Sequence, residues 1–549
     1  MNVAYLARNK EALMYLALLL LTAAVLFLTG APTGGAFSWS DSPRHALNGA
    51  FVLDLLRDAP LNDPTGYAYN YYSQYPALTI LFYPPFFYFV LAVFYALFGV
   101  SQEVATFAVF IFYFALAGGT YSLARLWLSP ALSFGVALIL ISAPEVAFWG
   151  RQVMLEIPAF ALLTWSAYFL IRYSRDNRPV FFYLSLVLLL LALYTKISVA
   201  FISLAYLGYL AHTQRTNLFR IKHHYYGLAL FLICCIPLAY ISLYFGRANM
   251  QSVTGIPDAE VSRANIQGWL WYARALPDQI GWPALGGAIA FVLTWFWNRI
   301  RGRSVFDDTF FFLLWFIAGY LFYSAIDLKE ARHSIFILLP VAIASGFMLR
   351  FAFSKRPHWA GIGVAALGLV SLSITMTSRP VHYVHGYKEV AEYVSTLAPK
   401  NSNVLFSGYR DGAFIFNMRA YVNRSDLSVV RADKLLLKIA VRRSLGVEQQ
   451  KYSEEEIADL ISNSGVYYVV AQSEFWTDLD QMAKLKRVLE SPRFEEIRRF
   501  ELQSNFSAPD TELVVYRNLG EVASGPIRIT NDLPIIGREI QGTIGGKKD

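Results

Sequence analysis

Apolar runs of nearly helix-spanning length recur along the first 380 residues, and they restrict the folds open to this chain more than any other feature. "EALMYLALLLLTAAVLFLTG" (11–30) and "FFFLLWFIAGYLFYSAI" (310–326) come close to the roughly 20 apolar residues that carry a helix across ~30 Å of hydrocarbon. Hydrocarbon offers the backbone no hydrogen-bond partners, so such runs read as helices. Of the 549 residues, 56% are hydrophobic and 16% charged, a balance more apolar than that of a soluble chain. The expected class is a polytopic α-helical membrane protein. The first run follows Arg8 and Lys10 and, at about 17 residues, exceeds the 7–15 of a cleavable signal core, so it reads as a retained anchor.

The net charge of +8 does not point to nucleic acid, because Lys and Arg are scattered through short loops instead of massed on one face. Cys234 and Cys235 are adjacent inside an apolar run, where neither a disulfide framework nor a metal site can be built from them.

Basic loops stay on the cytoplasmic side and so orient the chain. They are the N-terminus, Arg125, "RYSRDNR" (172–178), "QRTNLFRIKHH" (214–224), "RIRGR" (299–303) and "RFAFSKR" (350–356). The opposite side then receives 31–80, the turns near 150–156 and 195–196, the segment 247–281, "DLKEARH" (327–333), and everything after the last apolar run, 359–377. Between residues 81 and 123 two apolar runs occupy room for one net crossing, and the first contains "YPPFF", whose prolines disfavour an uninterrupted helix. That run, 81–99, is expected to be re-entrant or interfacial, which leaves about eleven crossings in all. The expected location is a plasma (inner) membrane, with the N-terminus cytoplasmic and the C-terminal domain outside the cytoplasm.

Composition changes at residue 380. Two domains are expected: 1–379, a transmembrane catalytic domain that includes the first loop 31–80, and 380–549, a soluble α/β domain outside the cytoplasm. "NVLFS", "VYYVVA" and "ELVVYR" read as strands and "SEEEIADLIS" as a helix, with Ser453 and Glu456 spaced as a capping box. The tail after Gly520, ending "GGKKD", reads as loosely ordered, and "NRS" (423–425) and "NFS" (505–507) match glycosylation triplets.

Ionisable residues without an orientation role collect in the non-cytoplasmic turns. Asp41 and Glu156 stand at the ends of apolar runs, where a carboxylate serves either as a general base or as a helix cap. Lys196 has almost no polar loop around it, which suits a phosphate partner or snorkelling to the interface. Arg332 and His333 precede another apolar run, and Arg can grip phosphate with two bonds. His45 follows Asp41 by four residues, a spacing open to a metal or to an ordinary structural histidine. The tyrosines of "YAYNYYSQYP" (67–76) read as an interfacial belt or as part of an acceptor groove.

Five segments, "DSPRHALNG" (41–49), "YPPFFYFVLAVFYALFG" (83–99), "RQVMLEIPAFAL" (151–162), "LALYTKIS" (191–198) and "ARHSIFILLP" (331–340), together resemble the lipid-phosphate-sugar glycosyltransferases of the GT-C fold. The similarity is greatest to the group of protein O-mannosyltransferases and the lipid A aminoarabinose transferase. The resemblance implies a GT-C-like membrane domain and a polyprenyl-phosphate sugar donor. The implied acceptor is a hydroxyl on protein, glycolipid or polysaccharide, attacked with inversion at the anomeric carbon. It assigns Asp41 as base or acceptor-orienting carboxylate, Glu156 as second acid, and Lys196 with Arg332 as donor-phosphate contacts. Arg44 and His333 join the phosphate contacts, and Tyr83 and Arg151 are candidates to line the substrate. Ser42 stands where this group often has a second acid, which weakens the case for a metal there; no cofactor is firmly expected, and a divalent metal is left open. Membrane lipids are the other expected partners. The competing reading is a secondary transporter or flippase, in which membrane charges mark a substrate path.

Overall fold

The computed structural model describes residues 3–80, 82–215, 218, 220–246, 250, 253–254, 261–303, 309–422, 424–439, 443, 446–533 and 538–544. Asn423 of the first glycosylation triplet, Leu81 and the closing "GGKKD" lie outside them. The chain forms two compact units: Met1–Ala31 with Thr106–Ser242 and Val253–Val381, and Pro32–Ala105 with Leu243–Ser252 and His382–Asp549.

The first unit is helical. Among the described residues five helices are long and apolar enough to cross a membrane, in Glu11–Leu28, Gln102–Ala124, Lys222–Tyr244, Ala331–Ala352 and Trp359–Ser378. Pro130–Ser142, Pro179–Leu193 and Thr309–Ser324 are shorter apolar helices of the same unit. The protein is a multi-pass membrane protein. The "RDNRP" turn explains one helix pair. Asn177 adopts a left-handed φ of 53° and its N–H donates to the Tyr173 carbonyl, after which Pro179 opens Pro179–Leu193, the usual stop and start residues. Ser166 Oγ donates to the Ser185 carbonyl at 2.7 Å and accepts from Tyr206 Oη at 2.9 Å, so buried hydroxyls join these helices. Gly135 lets Pro130–Ser142 approach Pro357–Ser378, because a Cβ there would lie 1.3 Å from Val364 Cγ1.

The second unit joins the first loop to the C-terminal residues. Ion pairs explain it: Arg44 Nη2 donates to both Asp411 oxygens at 2.9 and 2.8 Å, and Arg419 reaches Asp54 at 2.6 Å. Gln74 Nε2 also donates to the Ser425 and Leu427 carbonyls. The loop carries helices Asp41–Asp58 and Pro64–Gln74 and is followed by Phe86–Phe98. This last helix lies in the run expected to be re-entrant or interfacial. Its 13 residues rise about 20 Å, short of the ~30 Å of a hydrocarbon core.

The C-terminal residues build a five-stranded sheet from β1 (Asn403–Ser407), β2 (Ser428–Arg431), β3 (Val466–Ala471), β4 (Phe494–Glu501) and β5 (Glu512–Asn518), in the order β2-β1-β3-β5-β4. β1 runs parallel to β2 and β3, and β5 is antiparallel to β3 and β4. The three expected strands are β1, β3 and β5. The expected capping box is formed at helix Glu454–Asn463: Glu456 N–H donates to Ser453 Oγ and Ser453 N–H to the Glu456 carboxylate.

Candidate active site

In the first unit Glu156 opens helix Glu156–Asp176 and is 0% exposed. Burying a carboxylate is costly unless opposite charge meets it, and two cations do so. Lys196 occupies the turn between Pro179–Leu193 and the 3₁₀ segment Ile197–Phe201, where its N–H donates to the Ala192 carbonyl. Its Nζ donates to Glu156 Oε1 at 2.5 Å. Arg332 lies in the 3₁₀ segment Ala331–Ile337, with Nε 3.9 Å from the same Glu156 oxygen and 2.5 Å from Glu330 Oε2. Gln279 Nε2 fixes this segment by donating to the Ala331 carbonyl at 2.6 Å and to Ser334 Oγ at 2.9 Å. His333 is within electrostatic reach of Lys196, Arg332 and Glu156. Four of the expected residues therefore meet in one place from three distant stretches of chain.

Glu330, on Arg332, and Glu145 are two further carboxylates near this cluster. Glu145, 3% exposed, accepts from Trp149 Nε1 at 2.6 Å and lies 3.4 Å from Arg379 Nη2. The Trp149 ring in turn faces the Arg332 guanidinium at 5.6 Å. Glu145 was not among the expected residues. The signal that could have found it is a single acid four residues before a Trp inside "SAPEVAFW", a spacing that puts both on one helix face.

Arg151, expected to line substrate, is 1% exposed and bonds main-chain carbonyls. Its Nε donates to the Ala147 carbonyl, Nη1 to that of Thr29 and Nη2 to that of Arg379. Thr29 and Arg379 directly follow the first and last membrane helices, so this guanidinium satisfies carbonyls that a helix end leaves open.

The second unit holds the other expected residues. Asp41 is the first residue of Asp41–Asp58, where an acid suits the helix dipole. Arg44, expected on donor phosphate, pairs with Asp411, which Arg431 also contacts at 2.7 Å. Burial alone raises the Asp411 carboxyl, yet Arg431 and Arg44 outweigh it and hold the group below its usual range. His45, 1% exposed, shares a hydrogen bond with Tyr88 Oη at 2.9 Å and packs edge-on against Tyr83 at 5.0 Å. Among the described residues no three His, Cys, Asp or Glu side chains group as metal ligands.

The family model described as dolichyl-phosphate-mannose-protein mannosyltransferase matches residues 83–241. No curated protein matches the chain in sequence. Among solved structures, ArnT from Cupriavidus metallidurans bound to undecaprenyl phosphate is similar, with a TM-score of 0.63 at 13% identity over 92% of this chain and 97% of that one. The Archaeoglobus fulgidus oligosaccharyltransferase is similar with a TM-score of 0.51 at 11% identity over 92% and 76%. The arabinofuranosyltransferase AftD from Mycobacteria is similar with a TM-score of 0.52 at 16% identity over 95% and 42%. The protein thus has the GT-C fold and resembles the lipid-phosphate-sugar transferases of the protein O-mannosyltransferase and aminoarabinose transferase group.

Proposed function

We propose that the protein is an integral-membrane glycosyltransferase that moves a sugar from a polyprenyl-phosphate donor to an acceptor hydroxyl at the outer membrane face, with inversion. The observation that carries this reading is the meeting of Lys196 and Arg332 at one buried carboxylate, Glu156. The fold supports it, as does the undecaprenyl phosphate bound to the similar ArnT.

The chemistry follows from charge. As the bond between the anomeric carbon and the phosphate oxygen breaks, negative charge grows on the phosphate. Preorganised cations stabilise that charge more than they stabilise the intact donor. Lys196 supplies a compact charge and Arg332 a planar fork. Glu156 holds both cations in place before the donor arrives. Asp41 takes the proton of the acceptor hydroxyl as its oxygen attacks the anomeric carbon, and the donor departs as polyprenyl phosphate. The C-terminal residues contribute to acceptor recognition, and the domain faces away from the cytoplasm.

The test incubates purified full-length protein in lipid nanodiscs with a panel of polyprenyl-phosphate sugars and candidate acceptors. Mass spectrometry follows both products. Release of polyprenyl phosphate together with a glycosylated acceptor is expected from at least one donor. No transfer from any donor, combined with no binding of undecaprenyl phosphate, would overturn the reading.

A further inference from the structure

We infer that Glu145 is a positioning residue for the donor phosphate, acting through Trp149 on Arg332; the inference rests on the function proposed above. Glu145 belongs to the short helix Pro144–Trp149 and is 3% exposed, and the next residues along the chain, Val146 and Ala147, are both 0% exposed. A carboxylate is costly there, and a side chain that only filled space would carry no charge. Its two oxygens are divided between two partners: Oε1 accepts from the Trp149 indole at 2.6 Å, and Oε2 lies 3.4 Å from Arg379 Nη2.

The indole bond fixes the plane of Trp149, whose ring centroid lies 5.6 Å from Arg332 Cζ. That separation is within cation–π range. On its other contacts the same guanidinium meets Glu330 at 2.5 Å and Glu156 at 3.9 Å. Arginine has many rotamers and loses freedom when held. An aromatic face together with two carboxylates leaves it one direction, toward the oxygen that Lys196 also holds. Without the acceptor at Glu145 the indole can turn, and Arg332 loses its seat.

The test measures binding of undecaprenyl phosphate to purified full-length protein carrying Glu145→Ala, Glu145→Gln, Trp149→Phe, Arg332→Ala, or Arg332→Ala combined with each of the first and third. Glu145→Ala and Trp149→Phe should each raise Kd about tenfold. Glu145→Gln, whose amide oxygen still accepts from the indole, should stay within about threefold of wild type. In the Arg332→Ala background neither change should cost anything more, because residues acting along one chain of contacts are non-additive. Where Glu145→Ala fails to fold, Trp149→Phe, which keeps a ring and lacks the N–H, supplies the same comparison. Unchanged affinity in these variants, or a loss as large without Arg332 as with it, overturns the inference. Binding that depends on Arg332 but ignores Glu145 and Trp149 overturns the inference alone, whereas a wild-type protein that binds no undecaprenyl phosphate overturns the proposed function with it.

Discussion

Glu156 is closed off from solvent, and its charge is met chiefly by one ammonium, Lys196, at 2.5 Å. Deleting one partner of a buried pair leaves the other uncompensated at about 3–5 kcal/mol, so Lys196→Ala should harm folding and donor binding together. Glu156→Gln separates the two, because it preserves shape and removes the anion that competes with phosphate. Its expected effect is a Kd for undecaprenyl phosphate about three- to tenfold lower than wild type, measured by titration of the purified protein; weaker binding would show that Glu156 does not compete. Asp41→Asn should reduce sugar transfer by about 10²–10⁴-fold while protein recovered from membranes is unchanged, and full activity would remove Asp41 from the base role. The meeting of Lys196, Arg332 and Glu156 was legible because they are charges for which topology has no use. The partners of Arg44 and Arg151 were not, since a linear sequence does not reveal whether a guanidinium will meet a carboxylate 367 residues away or a row of main-chain carbonyls.

Single elements carry tests of their own. Helices Asp41–Asp58 and Phe86–Phe98 pack closely at Gly49, where a Cβ would lie 2.6 Å from that of Leu91. Gly49→Val should therefore cost about 1–3 kcal/mol through overpacking, read as a lower melting temperature of the full-length protein. Acid should weaken the C-terminal residues in a defined window. The Arg424 guanidinium, 2.6 Å away, holds the Asp426 carboxyl down at about 2, against an ordinary value of ~3.9. A folded value below the unfolded one gives stability that is full above ~4 and is lost as pH falls toward the folded value. Asp426→Asn should flatten that loss in an acid titration followed by circular dichroism. Strands β1, β3 and β5 were readable because they are interior to the sheet and densely apolar. β2 and β4 escaped notice because they are its two edges: β2 has four residues, and most side chains of β4, "FEEIRRFE", meet solvent, so neither shows a clean apolar pattern.

For the whole molecule, sidedness is the proposal most open to direct test. Glu455 is exposed on helix Glu454–Asn463. Glu455→Cys, with Cys234 and Cys235 replaced by Ser, should react with a membrane-impermeant maleimide added to intact cells or spheroplasts; reaction only after lysis would place the C-terminal residues in the cytoplasm. The composition change near residue 380 was legible in the sequence. The grouping of the first loop with the C-terminal residues was not, because it depends on pairs such as Arg44–Asp411 and Arg419–Asp54, whose members are 367 and 365 residues apart.

Those long-range pairs also set an order of events during synthesis. At ribosomal speeds of about 5–20 residues per second, Arg44 waits roughly 20–70 s before Asp411 has been polymerised. Through that interval the loop lacks the surface against which it finally settles, so nascent chains stalled before residue 411 should be cut by protease within it, and completed chains should resist.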